Sequence, residues 1–472
     1  MELAPYRMVL TFMAANLTIA TLPAHFGYKV LEHQHHLVTK QISHYFYYFY
    51  SMRVFKFGGA SIATPEKMEA LLPIISNEHE PVLLVVSALG KSTNALEKIV
   101  NAACAGNKNE AIHLAEQLEL EHLDYARALL DETHFIKAAD ALHTYFNELK
   151  RGIKLADSSR YDFSYDQVVC LGEICSTLLL HFYLVQKGLP FDWVDARTVI
   201  RTDDTYRDAG VDWNYSKQQV QAVIGRKMKA GRSILTQGFI GATINGDSVT
   251  LGREGSDYTA AMLAAMLQLE SVTIWKDVEG FLNADPKMFS NTVKIEALSY
   301  NEVIEMAFYG AQIIHPKTIK PLQNNNIPLY VKCFLDPSLS GTTIQAEVTG
   351  INYPPLIVLK HDQVLLQVTS RDFSFITEDN LSRLYALFHA KKIKVNLIQN
   401  AAISFVACID NRADKIKDLT EELNKDYKVL SNENVSLLTI RHYTPEVVEQ
   451  LTANKQILLK QETRKTLQVV MK

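Results

Sequence analysis

The residues equipped for chemistry come in short runs, and the first is Lys56-Phe-Gly-Gly-Ala-Ser61, behind Met52-Arg-Val-Phe55. Glycines lack a Cβ, so the backbone N–H groups at Gly58 and Gly59 can turn toward an anion. A strand feeding such a loop into a helix opened by Thr64-Pro65 makes a phosphate seat. Lys56 adds a cation beside it, although Gly-Gly after a strand also serves as a plain tight turn. The second run, Ser87-Ala-Leu-Gly-Lys-Ser-Thr93, follows the apolar stretch 82–86. Small polar residues at the carboxyl end of a central strand lie where open α/β sheets bind ligands. Ser87 and Thr93 are therefore candidate substrate contacts, with Thr93 equally suited to capping a helix that starts near Asn94.

Glu173 stands in Cys170-Leu-Gly-Glu-Ile-Cys-Ser-Thr177, in the middle of an apolar helix predicted over residues 166–187. An ionised carboxylate is costly to bury unless a cation meets it, so Glu173 needs either an internal salt bridge or a bound ammonium group. In Thr250-Leu-Gly-Arg-Glu-Gly-Ser-Asp257, Arg253 can fork onto a carboxylate or a phosphate. Ser256 and Asp257 fall where a helix predicted over 258–269 needs an N-cap. Lys276, Asp277 and Asn283-Ala-Asp285-Pro286-Lys287 follow the strand predicted over 271–275. Lysines and aspartates together at the mouth of one strand suit a nucleotide polyphosphate and its magnesium.

The elements that must position these groups divide the chain. At 472 residues it exceeds one ordinary core, so two or three domains are expected. Apolar content of 47% and charged content of 21% describe a soluble globular protein. A net charge of −4, with acids and bases interspersed, gives no reason to expect a nucleic-acid or membrane partner. The five cysteines are scattered without metal-ligand spacing, which favours buried thiols in a reducing cytoplasm. Residues 1–51 differ: they hold two acids and five of the fifteen histidines, and their uncharged stretch 8–28 is interrupted by Pro23. We read them as an unstructured or spurious extension, with the functional chain beginning at Met52. Residues 52–345 alternate strands and helices in the manner of an α/β domain with a mainly parallel sheet, and carry a peripheral helical pair over 107–155. Beyond the Gly- and Pro-marked boundary at 341–355, residues 346–472 read as a ferredoxin-like βαββαβ unit. A second unit begins at Val435 and stops one helix short.

Taken in order, KFGGAS, VVSALGKSTN, LGEICST, TQGFIG, LGREGSDYTAA, WKDVEGFLNADPK and FYGAQIIHP closely resemble the aspartokinases of the amino-acid kinase family, over essentially all of residues 52–472. The resemblance implies a three-layer amino-acid kinase fold followed by regulatory ACT domains. It implies transfer of the ATP γ-phosphoryl group to the side-chain carboxylate of L-aspartate, with Mg2+ as the companion ion. Lys56 matches the lysine that stabilises the transferring phosphoryl, with Gly58, Gly59 and Ser61 around it, and Asp257 the aspartate that orients that lysine and the magnesium-phosphate assembly. Glu173 matches the residue that receives the substrate ammonium and Arg253 the one that takes the α-carboxylate, with Ser87 and Thr93 nearby. Lys276, Asp277, Asp285, Pro286 and Lys287 fall on the nucleotide side. In the regulatory segment, Asn396, Gln399 and Asn400 match the neighbourhood that binds a lysine or threonine effector, and pairing of ACT sheets implies a homodimer.

Several positions depart from the commonest family pattern: Ala60 stands for Thr, Glu254 for Gly, Lys276 for Thr or Ser, Lys287 for Arg and Gln312 for Lys. Ala401 and Ala402 stand where lysine-inhibited relatives commonly carry Ser and Glu. Glu254 is the sharpest, because a carboxylate beside phosphates is repulsive. It must face the amino-acid substrate or turn away toward a lysine. The competing readings are a kinase of glutamate or N-acetylglutamate, which leaves the ACT-like tail unexplained, and a non-catalytic amino-acid sensor. A chain ending at Lys472 leaves no room for a fused homoserine dehydrogenase.

Overall fold

The computed structural model describes residues 52–311, 314–350 and 352–472, so the expectation for residues 1–51 and the departure at Gln312 lie outside the described residues. In chain order the first strands are β1 (Arg53–Phe57), β2 (Val82–Val86), β3 (Phe191–Val194), β4 (Ser233–Gln237), β5 (Ile240–Ala242) and β6 (Ser248–Thr250). They are followed by β7 (Ser271–Lys276), β8 (Phe281–Leu282), β9 (Lys294–Ile295), β10 (Ala297–Ser299), β11 (Leu329–Cys333) and β12 (Thr342–Gln345). Eight of them build one sheet in the order β10-β12-β11-β7-β1-β2-β4-β3. Every pairing in it is parallel except β11 with β12.

β1 is central because it can be covered on both faces. Phe57 stacks on Trp275 of β7 with 6.1 Å between ring centroids, and Phe55 meets the same indole edge-on. The Val-Leu-Leu-Val-Val run of β2 is buried throughout, as a strand covered by helices on both sides should be. The helix Tyr161–Gln186 is apolar enough by length and composition to cross a membrane, yet 83% of its apolar window is buried inside the protein. It packs against the helices Ser92–Cys104 and Glu132–Leu155 as a core element. The expected helical pair is present as Lys108–Leu129 and Glu132–Leu155.

Two local readings shift. The stretch 233–241, expected as one strand, breaks after Gln237. A Cβ on Gly238 would come within 2.5 Å of the Ser256 side chain, and Phe239 takes a left-handed backbone with φ +73. The β5–β6 hairpin then turns at the expected Asn245-Gly246. The helix expected from residue 258 starts at Gly255, so Ser256 and Asp257 lie in its first turn and Glu254 is the N-cap.

The last third forms a second sheet from β13 (Leu356–Ser370), β14 (Val395–Asn400), β15 (Ser404–Asp410), β16 (Tyr427–Arg441), β17 (Ile457–Glu462) and β18 (Thr466–Met471). The order is β14-β15-β13-β16-β18-β17, antiparallel at every pairing. The strand near Val429 and the strand starting at Val435 are one strand of 15 residues, β16, whose exposed polar middle interrupts the apolar pattern. β13 is equally long. Its first half, Leu356–Lys360, pairs with Leu437–Arg441, and its second half, Gln363–Ser370, pairs with Tyr427–Val435. The register shifts between them, where Asp362 adopts φ +52. The second unit therefore does not begin at Val435: it takes a further strand from upstream of the first, which is inserted within it.

The two sheets are joined by a buried ion pair. Arg441, at the end of β16, forks onto Glu302 of the helix Tyr300–Tyr309 at 2.8 and 2.7 Å, and reaches Glu305 at 3.0 Å. Both partners are buried, with side chains 9% and 7% exposed. Removing one member of such a pair strands the other charge. Arg441→Ala is therefore expected to destabilise the protein by about 3 kcal/mol, with Arg441→Lys recovering only part because an ammonium cannot fork. Urea unfolding measures this, and an unchanged midpoint for the alanine variant would remove the ion pair from the account.

Candidate active site

The carboxyl ends of β1 and β2 meet the N-terminus of the helix Gly255–Leu267 at a cavity of about 440 Å³. Six of the residues singled out in the sequence line it together: Lys56, Ser87, Thr93, Glu173, Arg253 and Asp257. Lys56 reaches it from β1, and Nζ lies 2.6 Å from Asp257 Oδ1, both groups being largely buried. The pairing holds an ammonium at the end of the central strand, with its charge balanced from the first turn of a helix. A carboxylate is favoured there because the helix dipole is positive at that end.

Glu173 enters from the middle of the helix Tyr161–Gln186 and is 3% exposed. Its Oε2 has no hydrogen-bond partner. Burial pushes the carboxyl up to about 8, against the opposing pull of the Ala88 N–H and the Lys56 charge. No internal salt bridge reaches it among the described residues, so the cavity presents a buried carboxyl one cation short.

The sequence did not single out Tyr165, Arg207, Phe239 and Thr250, which also line the cavity. Asp166 explains two of these placements. It is fully buried and accepts from the N–H groups of Arg207 and Thr250 at 2.9 Å each, and from the Thr250 hydroxyl at 2.7 Å. Burial raises its carboxyl to about 6 despite those bonds. The guanidinium of Arg207 lies 4.5 Å from the Tyr165 ring centroid and pairs with Asp162. Nothing in the local pattern of residues 203–210 announces this, since the loop is placed by contacts from a distant helix. Glu254 lines the cavity too, and its carboxylate neither floats nor meets a lysine: it accepts from the His315 N–H at 2.7 Å.

The glycine loop lies beside this cavity. A Cβ on Gly59 would stand 2.5 Å from the Ala88 carbonyl oxygen and 2.9 Å from that of Gly90, so only glycine lets the two loops touch. Ser61 is occupied internally: its N–H donates to the Gly58 carbonyl and its hydroxyl to the Trp275 carbonyl. Lys276, Asp277, Asp285, Pro286 and Lys287 are not among the cavity's lining residues. Lys276 ends β7, Asp277 follows it, and Asp285-Pro286-Lys287 lies between β8 and β9, where Asp285 accepts from the Lys287 N–H. Between them Asn283 donates to the Pro355 carbonyl and accepts, through its own carbonyl, from the Ile357 N–H at the start of β13. In the second sheet Asn396 is bound to Lys360, Gln363 and Asp410, while Gln399 and Asn400 are exposed.

Comparison with known proteins agrees with this arrangement. The sequence model of the amino acid kinase family matches residues 51–333. The lysine-sensitive aspartokinase 3 of Escherichia coli K12 is 30% identical over 363 residues, covering 76% of this chain and 78% of that protein. The chloroplastic bifunctional aspartokinase/homoserine dehydrogenase 2 of Zea mays is 33% identical over 296 residues, 62% of this chain. The match spans about a third of that longer protein, 32% of its length. The solved structure of E. coli aspartokinase III in complex with aspartate and ADP superposes with a TM-score of 0.74 at 26% identity, covering 89% of this chain and 96% of that one. The chain belongs to the amino acid kinase family, and within it to the aspartokinases.

Proposed function

We propose that the chain is an aspartate kinase, transferring the γ-phosphoryl group of ATP to the side-chain carboxylate of L-aspartate to give 4-phospho-L-aspartate and ADP. The observation that carries this reading is the buried Glu173 carboxyl, whose Oε2 has no partner among the described residues, in the same cavity as the Lys56–Asp257 pair. An amino acid supplies the missing cation as its ammonium group. Arg253 and the uncapped N-terminus of the helix Gly255–Leu267 offer donors for its α-carboxylate, and Ser87 and Thr93 offer hydroxyls.

The side-chain carboxylate of aspartate is ionised at neutral pH, so no general base is needed. One of its oxygens attacks the γ-phosphorus, the bond to the β–γ bridging oxygen breaks, and the electron pair leaves with ADP. Lys56, held by Asp257, neutralises charge on the transferring group, and Gly58 and Gly59 supply backbone donors beside it. Ser61 acts through the loop's shape, since both its donors are used within the protein. Asp257 also suits Mg2+, which takes one or two protein carboxylates, keeps several waters and supplies charge neutralisation on the phosphates. Lys276, Asp277 and the Asp285-Pro286-Lys287 turn are assigned to the nucleotide.

Residues 52–345 form the catalytic domain in this reading and 346–472 the regulatory one. The E. coli relative's name describes lysine sensitivity. Gln399 and Asn400 are exposed for an amino-acid effector such as lysine or threonine, whereas Asn396 is engaged within the sheet. Exposed Phe373 and Phe375, in the loop between β13 and the helix Glu378–Ala390, suit burial in a homodimer. The described cysteines are all free thiols, in keeping with a cytoplasmic location.

Purified protein with Mg-ATP and hydroxylamine should form aspartyl hydroxamate from L-aspartate and not from L-glutamate or N-acetyl-L-glutamate. Absence of the aspartate product would sink the kinase reading. Lys56→Ala should lower kcat by at least about a thousandfold while aspartate binding stays measurable by calorimetry, because charge on the transferring phosphoryl loses its neutralising cation. Glu173 gives a pH signature in ligand-free protein. Its folded-state value of about 8 lies above the unfolded value of about 4.3, so the stability it contributes is complete below that lower value and is lost as pH rises toward 8. Glu173→Gln should accordingly be nearest the wild type in Tm near pH 4 and exceed it near pH 9, while weakening aspartate binding. A parallel pH dependence in the two proteins would contradict the assignment.

A further inference from the structure

Glu254 sits where its charge should interfere with ligand binding, and the structure shows what prevents that. It is the N-cap of the helix Gly255–Leu267, with a left-handed backbone at φ +54 that glutamate rarely adopts. Its carbonyl accepts the first helical bond from the Tyr258 N–H at 3.1 Å. Its carboxylate does not cap the helix. It turns instead to the His315 N–H, 61 residues away, at 2.7 Å. His315 is itself the N-cap of the next helix, Pro316–Asn324.

A carboxylate released at this position would be free to compete for the first-turn N–H groups of its own helix and for Arg253, its neighbour in the chain and in the cavity lining. Those are the donors the substrate carboxylate requires. An independent sign that this cavity awaits a ligand is Glu173 Oε2, buried and without a partner on another wall. We propose that Glu254 is a positioning residue: the His315 N–H clamps its carboxylate aside, which leaves Arg253 and the helix N-terminus open to the α-carboxylate of the substrate. The inference rests on the aspartate kinase reading for the identity of that substrate. Strain at a non-glycine residue persists where the surroundings enforce it, and here the enforcing partner is a single backbone donor.

His315 has φ −69 and ψ 139, a conformation proline can take, so His315→Pro deletes the N–H with little demand on its own backbone. His315→Ala controls for the imidazole. His315→Pro should raise KM for aspartate about tenfold with kcat little changed, because the freed carboxylate competes at the helix N-terminus. His315→Ala should keep the wild-type KM. In a Glu254→Gly background, where no carboxylate is left to compete and glycine fits the left-handed backbone, the same proline should leave KM unchanged. Persistent impairment in the double variant would mean that the proline damages the site in another way, and would overturn the proposal. A wild-type KM in His315→Pro alone would overturn it as well. Amide exchange of ligand-free protein gives an arm independent of turnover: Glu254→Gly should speed exchange at the His315 N–H, and unchanged exchange would refute the clamp. A wild type without aspartate-dependent turnover would sink the kinase reading, and the exchange result would then decide the clamp by itself.

Discussion

Buried charge that must be balanced is the constraint on which the rest of the structure depends. Lys56 lies near the end of the most central strand, where an ammonium is expensive without a counterion, and Asp257 meets it at 2.6 Å. That contact determines where the helix Gly255–Leu267 begins, and with it the direction in which the helix N-terminus faces. Across the cavity Glu173 is left without a protein cation, so balance there is completed by whatever binds. One pair neutralises itself and the other group waits, and in the proposed function the ammonium of an amino acid completes that balance.

The same requirement reappears at the junction between the sheets. Arg441 and Glu302 tolerate burial because each is the other's partner, and the fork fixes orientation as well as proximity. A second tie is Asn283, which binds the β8–β9 region to the first residues of β13. Two links therefore join the second sheet to the first domain, one an ion pair onto a helix and the other an asparagine at a strand end.

Much of this was legible in the residues. The all-apolar run of β2, the glycines after β1 and the acidic residue inside an apolar helix each state a local physical requirement, and the structure puts the strand, the loop and the helix where they were expected, while among the described residues the cation that Glu173 calls for is not supplied. What stayed hidden depends on partners remote in the chain. Arg207 enters the cavity because Asp166, 41 residues earlier, holds its backbone, and no pattern within 203–210 records that bond. Glu254 looked like a charge in need of a lysine because a backbone N–H, which every residue but proline carries, leaves no mark in a sequence. The unity of β16 was obscured for a different reason: its exposed middle resembles a loop in composition.

The long β13 strand has a consequence for the order of events during synthesis. Leu356–Lys360 pairs only with Leu437–Arg441, so it leaves the ribosome some eighty residues ahead of its partner on one side, while the inserted unit between them can close by itself. Arg441 arrives with that late strand, so Glu302 on the already emerged half also waits for its counterion. The junction between the halves is thus completed after most of the catalytic sheet has been made. A nascent chain stalled before residue 441 would lack the guanidinium that neutralises Glu302, a feature that distinguishes an unfinished molecule from a finished one.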